Sequence, residues 1–69
     1  MAVMKVVEIM ANSNKSWEDA VKNAVKTAAK SIKNIKSVYV KDQTANVEGE
    51  NITDYRVIVK ITFQVDASS

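Results

Sequence analysis

Apolar and polar residues alternate along the chain in patterns that predict four elements, in the order strand, helix, strand, strand. Residues 3–10 carry β-branched and apolar side chains on both faces, which is typical of a strand that is covered on both sides. Residues 38–47 alternate between apolar and polar positions and predict a second strand. A third strand runs from Tyr55 to Val65, where the odd-numbered side chains are apolar and the even-numbered ones are mostly polar. These segments predict an α+β fold with three antiparallel strands and one helix on one face.

The segment between the first two strands has the pattern of an amphipathic helix that begins at Ser16 and ends near residues 33–34. The Ser16 hydroxyl can accept a hydrogen bond from the backbone N–H of Asp19, and Asp19 stands where the acidic partner of a capping box is expected. Lysines occupy one side of the helix, which predicts a solvated face. The apolar positions recur every three or four residues and form one stripe: Trp17, Ala20, Val21, Ala24, Val25, Ala28 and Ile32.

Two short polar segments complete the layout. The sequence EGEN at residues 48–51 predicts a hairpin turn, in which Gly49 is free to adopt a positive φ. The sequence DASS at residues 66–69 predicts a frayed tail.

The size of the chain makes self-association the expected source of additional stability. Its 69 residues correspond to a single domain over residues 1–69. A domain below roughly 70–80 residues rarely obtains more than about 3–5 kcal/mol from its core alone. The chain has no cysteine for a disulfide and no histidine, while 46% of its residues are hydrophobic. Since one helix cannot cover strands of this length, we expect the remaining face and edges of the sheet to contact copies of the same chain.

Charge and residue content argue against several classes of function. The net charge of +2 is small, and the helix lysines lack interleaved aromatic residues, so no nucleic-acid partner is predicted. The first ten residues contain no long apolar run, so we expect neither a signal peptide nor a membrane partner, and the expected location is the cytoplasm. No serine lies in a nucleophile-elbow motif, and nothing else marks a catalytic group. We therefore predict that the protein is not an enzyme.

The single tryptophan is a candidate for either packing or ligand binding. Trp17 lies on the apolar stripe of the helix, one residue after the cap. A buried tryptophan contributes a large apolar area. We therefore favour a structural role, in which Trp17 packs against the sheet or a neighbouring subunit, over stacking on a ligand.

Three carboxylates near the hairpin are candidate ligands of a weak cation site. Glu48, Glu50 and Asp54 lie close together in the sequence, and their oxygen atoms suit hard cations such as calcium. No twelve-residue calcium loop is present, and a solvated hairpin is the simpler interpretation. In an oligomer, symmetry could gather carboxylates from several chains.

Four segments in a fixed order resemble a known family. They are VVEI in the first strand, SWEDAVKNAV in the helix, VKDQ in the second strand and YRVIVKITFQV in the third. The chain resembles the dodecins over roughly residues 3–65. The resemblance implies a β-α-β-β subunit whose three-stranded antiparallel sheet wraps around one helix. It also implies a hollow homododecamer with a storage or buffering role.

The resemblance further implies where a flavin pocket would lie. Many dodecins bind stacked pairs of flavins, with a tryptophan at the start of the second strand and a glutamine on the third. These two positions correspond here to Ser37 and Arg56, so both ring contacts have changed. Asp42 stands where some relatives contact the ribityl chain, and alternation puts Tyr39 on the same face as Ser37. The implied pocket positions are Ser37, Tyr39, Asp42, Gln43 and Arg56.

One branch of the family lacks the tryptophan and carries Tyr-Arg before the last strand. Its members are described as calcium dodecins, and the YR pair at residues 55–56 makes this chain resemble them, which implies cation binding. Two hypotheses stay open. The first is a dodecameric store for an ion or small ligand without high-affinity flavin binding. The alternative is a store for riboflavin or FMN with an altered pocket.

Overall fold

The computed structural model describes residues 2–65, in which one helix packs on one face of a three-stranded antiparallel sheet. The elements are β1 (Met4–Ser13), α1 (Trp17–Ala28), β2 (Ile35–Glu48) and β3 (Asn51–Gln64). The strand order is β1-β3-β2, so that β3 is central and pairs with both neighbours. The predicted β-α-β-β order and antiparallel sheet are therefore confirmed. The predicted tail at residues 66–69 lies outside the described residues.

The strands are longer than the apolar pattern predicts. β1 continues past residue 10, because the polar residues Asn12 and Ser13 also pair with β3. β2 begins at Ile35 rather than at residue 38. The pattern misses these ends because a residue on a solvent-facing part of a sheet can be polar and still form ladder hydrogen bonds.

The hairpin between β2 and β3 is tight. β3 therefore begins at Asn51, earlier than the predicted start at Tyr55. Glu48 pairs with Asn51, so only Gly49 and Glu50 form the turn. Gly49 has a φ of 63°, as the sequence predicts, and glycine adopts this left-handed value without steric cost. A two-residue loop is the commonest connection of a hairpin.

The helix begins as predicted and ends earlier. Ser16 is the N-cap, and its hydroxyl accepts a hydrogen bond of 3.0 Å from the Asp19 backbone N–H. The predicted end near residues 33–34 is wrong, because α1 ends at Ala28 and a turn follows. Ile32 continues the helical spacing, yet it packs on the core from outside the helix, and Asn34 has a φ of 62°. α1 is the one helix among the described residues, and with 12 residues it is too short to cross a membrane.

The core consists of small helical side chains against β-branched strand side chains. Partly buried residues such as Val7 and Val21 surround it. The three buried alanines of α1 are small and let the helix approach the sheet closely. The three buried residues of β3 are alternate positions that face the helix, which confirms the alternation predicted for this strand. The buried set is Ala20, Ala24, Ala28, Val57, Val59 and Ile61.

The helix covers less than half the length of the sheet. A helix of 12 residues is about 18 Å long, whereas β2 and β3, with 14 residues each, extend about 46 Å. The chain is accordingly elongated, with extents of 53 × 19 × 13 Å. The sequence predicts that β1 is covered on both sides, but Val6 and Met10, on the side that faces away from α1, are 56% and 57% exposed within a single chain. This uncovered apolar surface is what a contact with further copies would bury.

Candidate functional site

The side of the sheet that faces away from α1, here called the outer face, holds most of the predicted pocket positions. Residues opposite each other on antiparallel strands lie on the same side of a sheet. Val57 and Val59 face the helix, so Arg56 and Lys60 of the same strand lie on the outer face. On β2, Ser37 is opposite Thr62, Tyr39 is opposite Lys60, Asp42 is opposite Ile58 and Thr44 is opposite Arg56.

The structure thus brings together Ser37, Tyr39, Asp42 and Arg56, and separates them from Gln43. Gln43 is opposite Val57, on the helix side of the sheet. Asp42 reaches the outer face through a β-bulge, because the register shifts by one residue between Val40 and Asp42. Strict alternation from Tyr39 would have turned Asp42 towards the helix side.

Within residues 2–65, Arg56 and Lys60 on the outer face of β3 form no ion pair. Arg56 is half-buried, and its Nε atom is buried without a hydrogen-bond partner among residues 2–65. Lys60, also half-buried, forms no ion pair within the same residues. Sequence reasoning assigned Lys60 no role, although the alternation in β3 already placed it on the same face as Arg56.

Polar groups beside these cations are paired with each other. The Asn12 side-chain amide donates a hydrogen bond of 2.6 Å to Asp54 Oδ2. Across the sheet, Lys41 Nζ lies 3.4 Å from Glu8 Oε1, and about half of each side chain is exposed. An exposed pair of this kind stabilises a protein by roughly 0–1 kcal/mol. The carboxylates of Asp54 and Glu8 are therefore engaged by other groups rather than by Arg56 or Lys60.

Trp17 lies on the helix side of the sheet, away from the outer face. Its ring packs edge-on against Tyr55, with centroids 5.0 Å apart and an interplanar angle of 77°. The indole Nε1 donates a hydrogen bond of 2.8 Å to the backbone carbonyl of Thr44. These contacts tie the start of α1 to both strands of the hairpin, which is the arrangement that a structural role requires.

The loop between β1 and α1 is organised by a serine that sequence reasoning missed. The hydroxyl of buried Ser13 donates a hydrogen bond of 2.7 Å to Asp19 Oδ2 and accepts one of 2.9 Å from the Lys15 backbone N–H. The reciprocal half of the predicted capping box, from the Ser16 N–H to the Asp19 carboxylate, is replaced by a bond from that N–H to Ser13 Oγ. A polar residue at a strand end gives no periodic signal.

This network makes the start of α1 sensitive to acid. The hydrogen bond from Ser13, aided by the charge of Lys15, lowers the pKa of Asp19 from its ordinary value of 3.8, although partial desolvation opposes the shift. Since the folded-state pKa lies below the unfolded one, the contribution of Asp19 to stability is present above the ordinary value and lost as the pH falls through the lowered one.

We therefore expect Asp19→Asn to lower the thermal midpoint at neutral pH, and to lower it less as the pH falls below the ordinary pKa of Asp19. Circular dichroism melts across the pH range measure this difference. Glu18→Gln is the matched control, because Glu18 is an exposed first-turn carboxylate that forms no side-chain hydrogen bond among residues 2–65. A gap between wild type and Asp19→Asn that stays constant with pH would contradict the role of the ionised carboxylate.

The candidate cation ligands lie at the hairpin end and do not form a complete site within one chain. Glu48 and Glu50 are exposed beside and within the turn, whereas Asp54 is opposite Asn46 and bonded to Asn12. Among residues 2–65, no three acidic side chains form a group that could hold a metal ion. A cation site built from Glu48, Glu50 and Asp54 stays a prediction that needs further copies of the chain.

Comparison with known proteins places these features in context. Residues 3–66 match the family model described as Dodecin. Calcium dodecin from Mycobacterium tuberculosis is 32% identical over 65 residues, covering 94% of this chain and 92% of that protein. A crystal structure of calcium dodecin from the same organism, titled as calcium-chelating with a novel calcium-binding site, superposes with a TM-score of 0.79 and covers 97% and 96% of the two chains at 32% identity. Dodecin from Streptomyces coelicolor, at 22% identity, shares the fold with a TM-score of 0.88 over 97% and 96% of the two chains.

Proposed function

Because this chain belongs to the dodecin family, we propose that it is a binding and storage protein that takes up calcium or another small ligand as a hollow homododecamer. We further propose that it does so without enzymatic activity and without high-affinity flavin binding. The observation that carries the proposal is the similarity to calcium dodecin, which extends over nearly the whole of both chains. The two changed flavin contacts, at Ser37 and Arg56, support the same assignment.

Assembly is supported by the surface that a single chain leaves open. β1 exposes Met4, Val6 and Met10, with 46–57% of each side chain accessible. β2 is an edge strand of 14 residues, and an edge of this length presents unpaired backbone groups. A closed shell of copies would cover both features.

Weak flavin binding is supported by the chemistry of the outer face. Ser37 offers no π-surface at the position where the family resemblance implies a stacking tryptophan. Aromatic stacking contributes about 1–3 kcal/mol per ring in nucleotide binding, so its loss lowers affinity substantially. Arg56 replaces a neutral hydrogen-bonding group by a fixed cation, which suits an anionic group better than a ring edge.

The alternative function, a riboflavin or FMN store, is favoured by one observation. Tyr39 lies on the outer face near Ser37, and 65% of it is exposed in a single chain. Saturable quenching of riboflavin or FMN fluorescence by the assembled protein would support this alternative, and an absence of quenching would support the calcium or small-ligand assignment.

We expect a calcium site at the hairpin to include ligands from more than one copy, because no three acidic side chains among residues 2–65 form a group that could hold a metal ion. Calcium takes about six to eight oxygen ligands, which include carboxylates, backbone carbonyls and waters. Glu48 and Glu50 are exposed and unpaired within the described residues, so they are available to a shared ion.

We expect calorimetric titration of the assembled wild type with calcium to give saturable heats that Glu50→Gln reduces. Removal of one charged oxygen ligand weakens a hard-cation site, because the ion must lose water for a poorer ligand. Glu18→Gln is the control, since it removes the same charge from α1 rather than from the hairpin. Heats unchanged in Glu50→Gln would exclude Glu50 as a ligand, and wild-type protein without heats would contradict calcium binding.

A further inference from the structure

We propose that Met4 and Met10 are modification sites, at which a peroxide oxidises each thioether to a sulfoxide and thereby weakens the contact between copies of the chain. This inference goes beyond the proposed ligand binding, and it rests on the proposed homododecamer. Three features of the two residues support it: their position, their residue type and the chemistry of their sulfur atoms.

Both methionines lie on the side of β1 that faces away from α1. Met4 is opposite Gln64 and Met10 is opposite Ile58, and these positions of β3 belong to the outer face. Within a single chain, 46% of Met4 and 57% of Met10 are exposed. A small oxidant can therefore reach both side chains while the chain is unassembled.

The two side chains belong to an apolar surface on an edge strand. Val6, between them, is also more than half exposed, and Glu8 on the same side is engaged by Lys41. β1 pairs with β3 on one side only, and an uncovered apolar edge favours association. The occupant is a second copy, because a chain of 69 residues with 46% hydrophobic residues gains the stability it lacks by self-association. Assembly thus moves Met4 and Met10 from water into a contact.

Methionine stands out among the large aliphatic residues of this chain. The sequence contains no leucine, and the other large aliphatic residues are valine and isoleucine, which are favoured in strands. Both methionines of residues 2–65 lie on the same exposed surface. Their flexible and polarisable side chains suit an adaptable contact with another copy. Unlike valine or isoleucine, they also make that contact sensitive to oxidation.

The reaction takes place at sulfur. The chain has three methionines and no cysteine, so that thioethers are its only sulfur groups. A lone pair of the thioether attacks one oxygen of hydrogen peroxide, so that an S–O bond forms and the O–O bond breaks. Proton transfer to the departing oxygen releases water, which leaves sulfur oxidised to the sulfoxide and the peroxide reduced. Methionine sulfoxide is polar and can be reduced enzymatically, so the modification is reversible.

A sulfoxide at either position favours the separate chain over the assembly. In the separate chain the sulfoxide oxygen is hydrated, whereas in a contact between copies it loses water and faces apolar groups, which is costly for a polar atom. The buried apolar core consists of residues of α1 and β3 and contains neither methionine. Oxidation therefore acts on the contact rather than on the core.

The experiment oxidises the full-length chain while it is separated from its copies. Protein unfolded in urea is treated with hydrogen peroxide, freed of peroxide and refolded by dilution, and peptide mass spectrometry locates the sulfoxides. Sedimentation over a range of protein concentrations then measures assembly. We expect the concentration at which half of the chains are assembled to rise at least about tenfold relative to mock-treated wild type, because each buried sulfoxide lacks a partner.

The matched control is the double variant Met4→Leu with Met10→Leu. Leucine keeps an apolar side chain that peroxide does not oxidise, while Met1 and Trp17 are still present during the treatment. We expect peroxide to leave the assembly of this variant unchanged. An equal loss of assembly in the double variant would overturn the inference. So would wild type that carries both sulfoxides and assembles like the mock-treated protein.

Met10→Gln tests the polarity of this surface without an oxidant, and it is compared with Met10→Leu if the double variant fails to assemble. Weaker assembly of Met10→Gln than of Met10→Leu would support the inference, and equal assembly of the two would overturn it. Mock-treated wild type that does not assemble would contradict the homododecamer together with the inference. Assembly that tolerates both sulfoxides overturns the inference alone.

Discussion

Trp17→Ala is expected to reduce the free energy of unfolding by about 3 kcal/mol, at the low end of the cost of truncating a buried tryptophan, and to weaken or dissociate the assembly. The low end applies because Trp17 is half-buried in a single chain. The substitution removes the edge-on contact with Tyr55 and the hydrogen bond to the Thr44 carbonyl. Since these contacts join the start of α1 to both β2 and β3, the helix loses its attachment to the hairpin.

Urea or thermal unfolding, together with sedimentation, measures this effect. Trp17→Phe is the matched control, because phenylalanine keeps an aromatic ring and lacks the indole N–H. We expect it to lose about 1 kcal/mol, the usual contribution of one hydrogen bond. If Trp17→Ala melts and sediments like wild type, the packing role of Trp17 is wrong.

Ser37→Trp is expected to create or strengthen flavin binding by about tenfold to over a hundredfold. The estimate follows from about 1–3 kcal/mol per stacked ring, converted to affinity. Ser37 is exposed on the outer face opposite Thr62, so an indole at this position has space to lie on the sheet surface. Tyr39 is on the same face and would border the added ring.

Fluorescence quenching of riboflavin and FMN by the assembled variant measures this gain. Asn46→Trp is the control, because Asn46 lies on the outer face of β2 opposite Asp54, nearer the hairpin. Quenching gained equally in both variants would indicate non-specific stacking. No gain in Ser37→Trp would show that the pocket does not lie at Ser37.

The order of the elements was predictable because it depends on local periodicity. The alternation over β3 placed Val57, Val59 and Ile61 on one face, and the structure buries these three against the helix. The N-cap at Ser16 was predictable for the same reason, since a cap involves residues only three positions apart. Element ends were less predictable, because Ile32 keeps the helical spacing and packs on the core although it lies beyond the helix, after the turn at residues 29–31.

The candidate site was predictable only in part. Ser37, Tyr39 and Arg56 share the outer face, as alternation within each strand and the family resemblance suggest. Asp42 joins them only because of the bulge at Val40 and Asp42, which reverses the alternation along the rest of β2 and turns Gln43 to the helix side. A bulge is a property of two paired strands, so the sequence of one strand does not reveal it.

By itself the sequence determined the β-α-β-β order, the helix cap and the two faces of β3, since each follows from local spacing. Only the tertiary structure decided which charges are paired. Asp54 binds Asn12 and Glu8 lies beside Lys41, so that Arg56 and Lys60 are left without ionic partners among residues 2–65. The partners in these two contacts are separated by 42 and 33 positions along the chain, and sheet register alone brings them together.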